Sequence, residues 1–284
     1  MRNPLVSVVL VTYNRAQALR QTLDTLVCQT LADFELIICD DASPDSTSAV
    51  VAEYSRLDSR LTYHRNPHNL GMPGNLNVGI RLSRGQFIAN LHDGDLYDST
   101  LLEKWTTALE RYPTAAFVFN QYRMLAPDGT TKIIWKEALP SIFSGKYLLE
   151  ELFFRRPLFN SPVWGTVMAR RTAYLEGRLF DERFGFLSDV DMWMRLADKY
   201  DIAYVPEPLI SIPSREKLPR QFYLSPYDRR MTRMFWEARM RHYKGRPIRR
   251  FVELGRHLTY AAFLRTYYSL AEAKNEVKRL FSRC

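Results

Sequence analysis

The sequence predicts an α/β protein in which helices flank a mostly parallel sheet, followed by a helical C-terminal extension. Apolar runs that suit buried strands alternate with segments of helical periodicity in the first hundred residues. This βαβαβ order favours parallel strands joined by right-handed crossovers. An abrupt change of charge near residue 215 marks the extension. The 284 residues, 46% of them hydrophobic, suffice for one large domain with such an appendage.

The first elements follow from periodicity. Residues 7–12 predict a buried strand, and Leu19, Leu23 and Leu26 then recur at the spacing of one helix face. Residues 34–39 predict the second strand. The loop after it offers caps for a helix that ends near residue 57, and a short strand follows at residues 61–64.

Turn and capping residues mark the boundaries of the later elements more clearly. Residues 69–77 predict a loop that enters a helix, because their glycine spacing matches neither a dinucleotide fingerprint nor a phosphate-binding loop. A strand is predicted at residues 87–91. Ser99 is the predicted cap of a helix that ends near residue 112, before a strand at residues 115–119. Residues 127–129 predict a turn between antiparallel strands.

Beyond residue 145 the alternation weakens, with a strand predicted at residues 163–169 and a helix at residues 189–199. Residues 1–214 carry a net charge of −3 and residues 215–284 a net charge of +12. We therefore predict a domain at 1–214 and a basic helical region at 215–284. The arginines and aromatic residues of that region suit peripheral contact with an anionic membrane face, contact with single-stranded nucleic acid, or a helical subdomain with a charged exterior.

The sequence also predicts a compartment. No run approaches the roughly 20 apolar residues of a spanning helix, and the N-terminus shows no secretory pattern. The cysteines Cys28, Cys39 and Cys284 have neither redox nor metal-ligand spacing. We expect a cytoplasmic protein, with the basic region suited to the inner face of the membrane.

Polar residues follow three of the predicted strands. Ligands of parallel sheets bind beyond the carboxyl ends of the strands, where Tyr13, Asp41 and the Asp93-Gly94-Asp95 motif all fall. Carboxylates such as Asp93 and Asp95 suit Mg²⁺ or Mn²⁺ and leave room for a substrate diphosphate, although a polar turn with a helix cap is the alternative. Asp41 is suited to accept a hydrogen bond from the N–H of a pyrimidine base, and Tyr13 to stack on the face of that base. The alternative for Asp41 is capping of the helix that follows it, a role that Ser43 or Asp45 also suits.

Asp189 and Asp191 begin a predicted helix. Two positions correspond to a rotation of about 200°, so the two carboxylates cannot face one site. Asp191 has Arg195 four residues later, the spacing of a helix ion pair, whereas the corresponding partner of Asp189 is Trp193. The helix dipole favours an ionised Asp189, which suits a general base with an ordinary carboxyl pKa of about 4.3.

Two further side chains stand near these motifs. His92 directly precedes the acidic motif and suits a phosphate or a metal. Trp164 suits a sugar or acceptor pocket, or else the core. No serine or cysteine nucleophile motif is present in the sequence.

The assembled motifs resemble those of glycosyltransferase family 2, over residues 4–210. The resemblance rests on the segments 8–15, 29–30, 34–43, 77–79, 93–95 and 188–196. It implies the GT-A fold, which is Rossmann-like, inversion at the anomeric carbon, a nucleotide-sugar donor and a divalent cation, Mn²⁺ or Mg²⁺. The family's Asp-x-Asp-Asp ending is His92-Asp93-Gly94-Asp95 here, and its Glu-Asp before the last helix is Ser188-Asp189.

The resemblance also implies roles for individual residues. They are donor binding by Thr12, Tyr13, Asn14, Asp41 and Asp93, metal binding by Asp93 and Asp95, and activation of the acceptor by Asp189. Asp95 is the firmer of the two metal ligands, because either His92 or Asp93 takes the place of the family's first acid.

The resemblance thus implies a metal-dependent inverting glycosyltransferase that uses a UDP-sugar, or alternatively a GDP- or dTDP-sugar. The expected acceptor is a glycan or a lipid-linked sugar of bacterial surface polysaccharide assembly; nucleic acid is not expected. Two rival classes are a sugar-phosphate nucleotidyltransferase, whose Gly-rich signature is missing at residues 12–15, and a non-catalytic nucleotide or nucleic-acid binder.

Overall fold

The computed structural model of the protein describes residues 2–150, 163 and 165–213. The predictions for Trp164 and for the basic helical region at 215–284 lie outside the described residues. Within the described residues, no helix is long and apolar enough to cross a membrane.

The first half of the described chain alternates strands and helices. Its elements are β1 (Val6–Thr12), α1 (Ala16–Leu26), β2 (Phe34–Asp40), α2 (Thr47–Leu57), β3 (Leu61–Arg65), α3 (Gly71–Leu82) and β4 (Phe87–His92). The four strands lie in the order β3-β2-β1-β4, and every neighbouring pair is parallel. The predicted βαβαβ unit is confirmed.

The second half of the described chain completes the sheet. Its elements are β5 (Leu96–Tyr97), α4 (Leu101–Arg111), β6 (Ala115–Leu125), β7 (Thr131–Trp135), β8 (Ile142–Ser144), α5 (Gly145–Tyr147), β9 (Val167–Arg170), α6 (Arg171–Glu176), α7 (Ser188–Ala197) and β10 (Asp201–Ile212). β9 is antiparallel to both β4 and β6, whereas β6 and β10 are parallel. The predicted fold class, helices around a central and mostly parallel sheet, is confirmed.

Helices cover both faces of β1, which explains why every residue of this strand is buried. Leu19, Leu23 and Leu26 of α1 are fully buried in the core that also contains Val8, and each such side chain contributes about 1.5–3 kcal/mol through burial. On the other face α3 packs closely, since a Cβ on Gly79 would lie 2.3 Å from Val9 Cγ1.

Three boundaries differ from prediction. Helix α3 begins at Gly71, within the segment predicted as a loop, because the distant Asp41 accepts hydrogen bonds from its first amides. The N-cap of α4 is Thr100 and not Ser99, and the Thr100 amide and hydroxyl donate to Asp98 Oδ1 at 3.0 and 2.7 Å. The strand predicted at residues 163–169 is Val167–Arg170.

Candidate active site

The carboxyl ends of β1, β2 and β4 form one edge of the sheet. Thr12 is the register partner of Asp40, and Val11 is the partner of His92. The polar residues that follow these strands are therefore brought to a common rim, as their positions in the sequence predict.

Asp93 is held by two residues of the first strand–helix loop. Thr12 Oγ1 donates to Asp93 Oδ2 at 2.8 Å, and Arg15 Nη1 donates to Oδ1 at 2.5 Å and to the backbone oxygen at 3.0 Å. Only 5% of Asp93 is exposed. Arg15 was missed as a site residue, although it belongs to the segment 8–15 on which the family resemblance rests.

The loop between Asp93 and Asp95 requires glycine. Gly94 has a φ of +81°, and a Cβ there would lie 2.6 Å from Arg15 Nη2. The Gly94 amide donates to Thr22 Oγ1 and that hydroxyl donates to the Asp95 backbone oxygen, both at 2.8 Å. This clamp fixes Asp95, which is 95% buried, at the same rim.

Asp41 lies beyond the end of β2 and accepts three hydrogen bonds. Oδ1 accepts from Asn66 Nδ2 at 2.9 Å and from the Leu70 amide at 2.8 Å, and Oδ2 accepts from the Gly71 amide at 2.9 Å. The alternative role predicted for Asp41, capping of the helix that follows it, is wrong, because its carboxylate binds the first amides of α3 and not those of α2. Asp45 stabilises the start of α2, accepting from the Thr47 amide at 3.1 Å.

The side chain of Tyr13 leaves 47% of its surface exposed at the rim. The next residue, Asn14, has a φ of 53°, and its amide donates to Ser43 Oγ at 2.9 Å. Ala42 in the adjacent loop has a φ of 63°. Left-handed non-glycine residues cost of order 1–3 kcal/mol and cluster at functional sites, so this pair of loops has the strain expected of one.

Asp189 stands in the first turn of α7. Its Oδ1 accepts from the Val190 amide at 2.7 Å, and burial raises the pKa of its carboxyl to about 6. The predicted ordinary pKa is wrong because desolvation outweighs the helix N-terminus. Asp191 instead accepts from Arg195 Nε at 2.7 Å, so the predicted i,i+4 ion pair is confirmed.

Gly165 lies beside both Asp189 and His92, the residue that precedes the acidic motif. A Cβ on Gly165 would lie 3.1 Å from Asp189 Oδ2 and 2.9 Å from His92 Cε1. The buried Asn90 donates to the Gly165 carbonyl and accepts from the Tyr174 hydroxyl at 2.6 Å. Gly165, Asn90 and Tyr174 were missed from the sequence, since only the fold brings them beside Asp189.

The described residues contain no cluster of three or more His, Cys, Asp or Glu side chains able to hold a metal ion. A Mg²⁺ or Mn²⁺ ion completed by substrate phosphates needs only one or two carboxylates, so the rim fits such an ion. The carboxylate of Asp93 also pairs with the Arg15 cation, so it is partly committed to that contact.

Sequence comparison relates the chain to known proteins. The family model described as "Glycosyl transferase family 2" matches residues 7–176. An uncharacterized glycosyltransferase of Haemophilus influenzae is 28% identical over 216 residues, which cover 73% of this chain and 64% of that relative. The chain thus spans less than two thirds of that relative's length. The Escherichia coli UDP-Glc:alpha-D-GlcNAc-diphosphoundecaprenol beta-1,3-glucosyltransferase WfgD is 28% identical over 150 residues, covering 53% and 57% of the two chains.

Solved structures share the fold. S. aureus TarS 1-349 in complex with UDP-GlcNAc matches with a TM-score of 0.63 and 18% identity, over 83% of this chain and 66% of that one. The mannosyltransferase PcManGT from Pyrobaculum calidifontis, in complex with GDP-Man and Mn²⁺, matches with a TM-score of 0.58 and 16% identity, over 96% and 81%.

Proposed function

The chain belongs to glycosyl transferase family 2, and we propose that it transfers a sugar from a nucleotide-sugar donor to an acceptor hydroxyl with inversion at the anomeric carbon. One observation carries the proposal: Asp189, a half-buried residue whose carboxyl pKa is raised by burial to about 6, lies beside Gly165 together with His92, the residue that precedes the acidic motif of the rim. A general base is thereby available beside a rim suited to a nucleoside diphosphate.

The donor is proposed to lie along the rim, with its base on Tyr13 and its ribose near Asp93. Thr12 and Asn14 hold the loop on which Tyr13 stands, Thr12 through Asp93 and Asn14 through Ser43.

The hydrogen bonds of Asp41 support a uracil base. Among the described residues, its Oδ1 accepts two hydrogen bonds and its Oδ2 one, which leaves a single lone pair for the donor. The N3–H of uracil matches that single acceptor, whereas guanine presents adjacent N1–H and N2–H donors that need two. A UDP-sugar is therefore favoured over a GDP-sugar, and a dTDP-sugar offers the same N3–H. UDP-GlcNAc in TarS and UDP-Glc in the name of WfgD agree with this choice.

A divalent cation is part of the proposal. Asp95, and with it Asp93 two residues earlier, would hold Mn²⁺ or Mg²⁺ together with the donor diphosphate. The bound ion would stabilise the negative charge that develops on the departing diphosphate. The Mn²⁺ in PcManGT supports this choice of cofactor.

The reaction is proposed to be a single displacement. The acceptor oxygen forms its bond to the anomeric carbon as the bond to the diphosphate oxygen breaks, and Asp189 takes the acceptor's proton. Attack opposite the leaving group inverts the anomeric configuration. A pKa of about 6 makes Asp189 a stronger base than an ordinary carboxylate and still leaves it mostly ionised at neutral pH.

The acceptor is proposed to be a glycan or a lipid-linked sugar of bacterial polysaccharide assembly. The name of WfgD specifies a diphosphoundecaprenol-linked acceptor, which supports this class. We also propose that residues 1–214 form the catalytic domain in the cytoplasm and that the +12 charge of residues 215–284 favours peripheral contact with the inner membrane face.

Release of nucleoside diphosphate from a panel of UDP-, GDP- and dTDP-sugars tests the proposed activity. Each donor is assayed with Mn²⁺, Mg²⁺ or EDTA, and with and without membrane lipid extract as a source of acceptor. Release from a UDP-sugar that requires metal is expected. An absence of both donor binding and release across the panel would favour the non-catalytic alternative.

A further inference from the structure

Four arginines line a cavity of about 480 Å³ that is separate from the candidate active site. They are Arg2, Arg84, Arg170 and Arg171, and the remaining lining residues carry no charge. A set of four cations around an open cavity without a lining carboxylate is an electrostatic feature that the proposed transfer reaction does not use.

The cavity, which we call the arginine cavity, lies at the opposite end of the strands from the rim. Leu5 and Gln86 line it, immediately before the paired residues Val6 and Phe87 that begin β1 and β4. The candidate active site follows Thr12, at the other end of β1. At about 3.3 Å per residue, the seven residues of β1 separate the two sites by roughly 20 Å.

Two of the four arginines have acidic partners outside the cavity. Arg84 donates to Glu35 Oε2 through Nε at 3.0 Å and through Nη2 at 2.7 Å. Arg2 reaches Asp33 only at 4.0 Å, and its side chain is 92% exposed. Such an exposed and distant pair contributes little, so the charge of Arg2 is largely uncompensated.

Arg170 and Arg171 bond only to carbonyl oxygens among the described residues. Arg170 donates to the carbonyls of Leu109, Ala115 and Tyr112 at 2.6, 2.8 and 3.2 Å. Arg171 makes one such bond, from Nε to the Ser83 carbonyl at 3.1 Å. The burial of Arg170 lowers the pKa of its guanidinium, as expected for a desolvated cation without a carboxylate partner.

Helix capping accounts for only part of this arrangement. Ser83 and Tyr112 end α3 and α4, whose C-termini each carry about half a negative charge. That partial charge offsets part of the Arg170 and Arg171 guanidinium charges but does not balance them together with Arg2, whereas Arg84 is already paired with Glu35. The Nη groups of Arg171, which make no hydrogen bond within the described part of the chain, form a fork that matches phosphate oxygens.

We propose that the arginine cavity binds a phosphoryl group, carried either by a soluble phosphate compound or by a lipid headgroup. Arg171 and Arg2 supply its direct contacts, and Arg84 and Arg170 supply the surrounding positive potential. The exposed Thr172 hydroxyl offers a further donor at the cavity wall. The site is independent of sugar transfer.

Equilibrium dialysis of the full chain against labelled inorganic phosphate tests the proposal, at low salt and with saturating UDP to occupy the donor site. The test variant is R2Q/R171Q, which leaves the Arg84–Glu35 pair intact. The matched control is R56Q/R81Q, which removes the same charge from two exposed helix positions. We expect one saturable phosphate for wild type and control, and at least tenfold weaker binding for R2Q/R171Q. No saturable binding by wild type, or equal binding by both variants, would overturn the proposal.

Sedimentation with phosphatidylcholine vesicles containing phosphatidic acid distinguishes a lipid headgroup from a soluble phosphate compound as the source of the phosphoryl group. Weaker vesicle binding by R2Q/R171Q than by R56Q/R81Q assigns the site to a lipid headgroup. Equal vesicle binding, together with selective loss of inorganic phosphate, assigns it to a soluble phosphate compound. Both variants retain the basic region 215–284, so its contribution cancels in the comparison.

Discussion

Asp189 and His92 both lie beside Gly165: a Cβ added there would lie 3.1 Å from the Asp189 carboxylate and 2.9 Å from the His92 ring. The two residues are 97 positions apart in the sequence, one at the start of α7 and the other at the end of β4. The lack of a side chain at position 165 therefore sets how closely the proposed base approaches the acidic rim.

Gly165→Ala is expected to lower kcat at least tenfold and to leave the donor KM nearly unchanged. The added methyl group must displace His92 or Asp189, and a shift near 1 Å costs up to about 100-fold in rate. Steady-state kinetics with the preferred donor measure both constants. Gly129→Ala is the control, since a Cβ there meets nothing within 4 Å and its φ of +81° affects stability alone. Equal kcat for the two variants would contradict the role of Gly165.

The pH dependence of transfer is expected to follow Asp189. Burial raises its pKa to about 6, so the rate should rise with pH and level off above that value as the carboxyl loses its proton. A profile of kcat/KM between pH 4.5 and 8 measures this limb. A limb near pH 4 would show that the base is an ordinary, solvated carboxylate.

Asp189 is also expected to reduce stability at neutral pH. A carboxyl whose pKa rises from 3.8 to about 6 on folding stabilises the fold below pH 3.8, and that contribution is lost as the pH rises through 6. Asp189→Asn should therefore unfold at a higher urea concentration than wild type at pH 7. Its free energy of unfolding should be greater by up to about 3 kcal/mol. The difference should disappear near pH 4. Urea titrations at both values measure it, and a destabilised variant at pH 7 would contradict the prediction.

Nucleotide preference is expected to follow the single free lone pair of Asp41. UDP and dTDP should bind at least tenfold more tightly than GDP, because guanine leaves one of its two donors unpaired. Calorimetric titrations with Mn²⁺ give the three dissociation constants. Binding of GDP as tight as that of UDP would mean that the base lies elsewhere.

Metal dependence is expected to reside in Asp95. Asp95→Ala should lose the response to Mn²⁺ and most diphosphate release, whereas Asp98→Ala, three residues later and beyond the rim, should retain both. Diphosphate release measured across a Mn²⁺ series distinguishes the variants. Full activity of Asp95→Ala in EDTA would place the charge stabilisation on protein groups such as Arg15.

The predictions that held depend on local signals. Leu19, Leu23 and Leu26 mark the buried face of α1, and the spacing of Asp191 and Arg195 predicts their ion pair. Each of these relationships is complete within a few residues, so periodicity alone reveals it.

The predictions that failed depend on distant parts of the chain. The start of α3 is set by Asp41, which lies 30 residues before Gly71. The pKa of Asp189 is set by burial, which no pattern in its own helix records. The proximity of Gly165 to His92 arises from the antiparallel pairing of β9 and β4. The sequence does not predict that pairing, because the alternation of strands and helices weakens after residue 145.

Transfer of labelled sugar by Asp189→Asn tests the central claim most directly. The donor from the panel is incubated with lipid extract and metal, and the labelled product is compared for wild type, Asp189→Asn and the exposed control Asp198→Asn. Donor affinity is measured in parallel by calorimetry. The role of Asp189 as general base predicts unchanged donor affinity for all three proteins and at least a 100-fold loss of transfer for Asp189→Asn alone. Wild-type transfer by Asp189→Asn would contradict it.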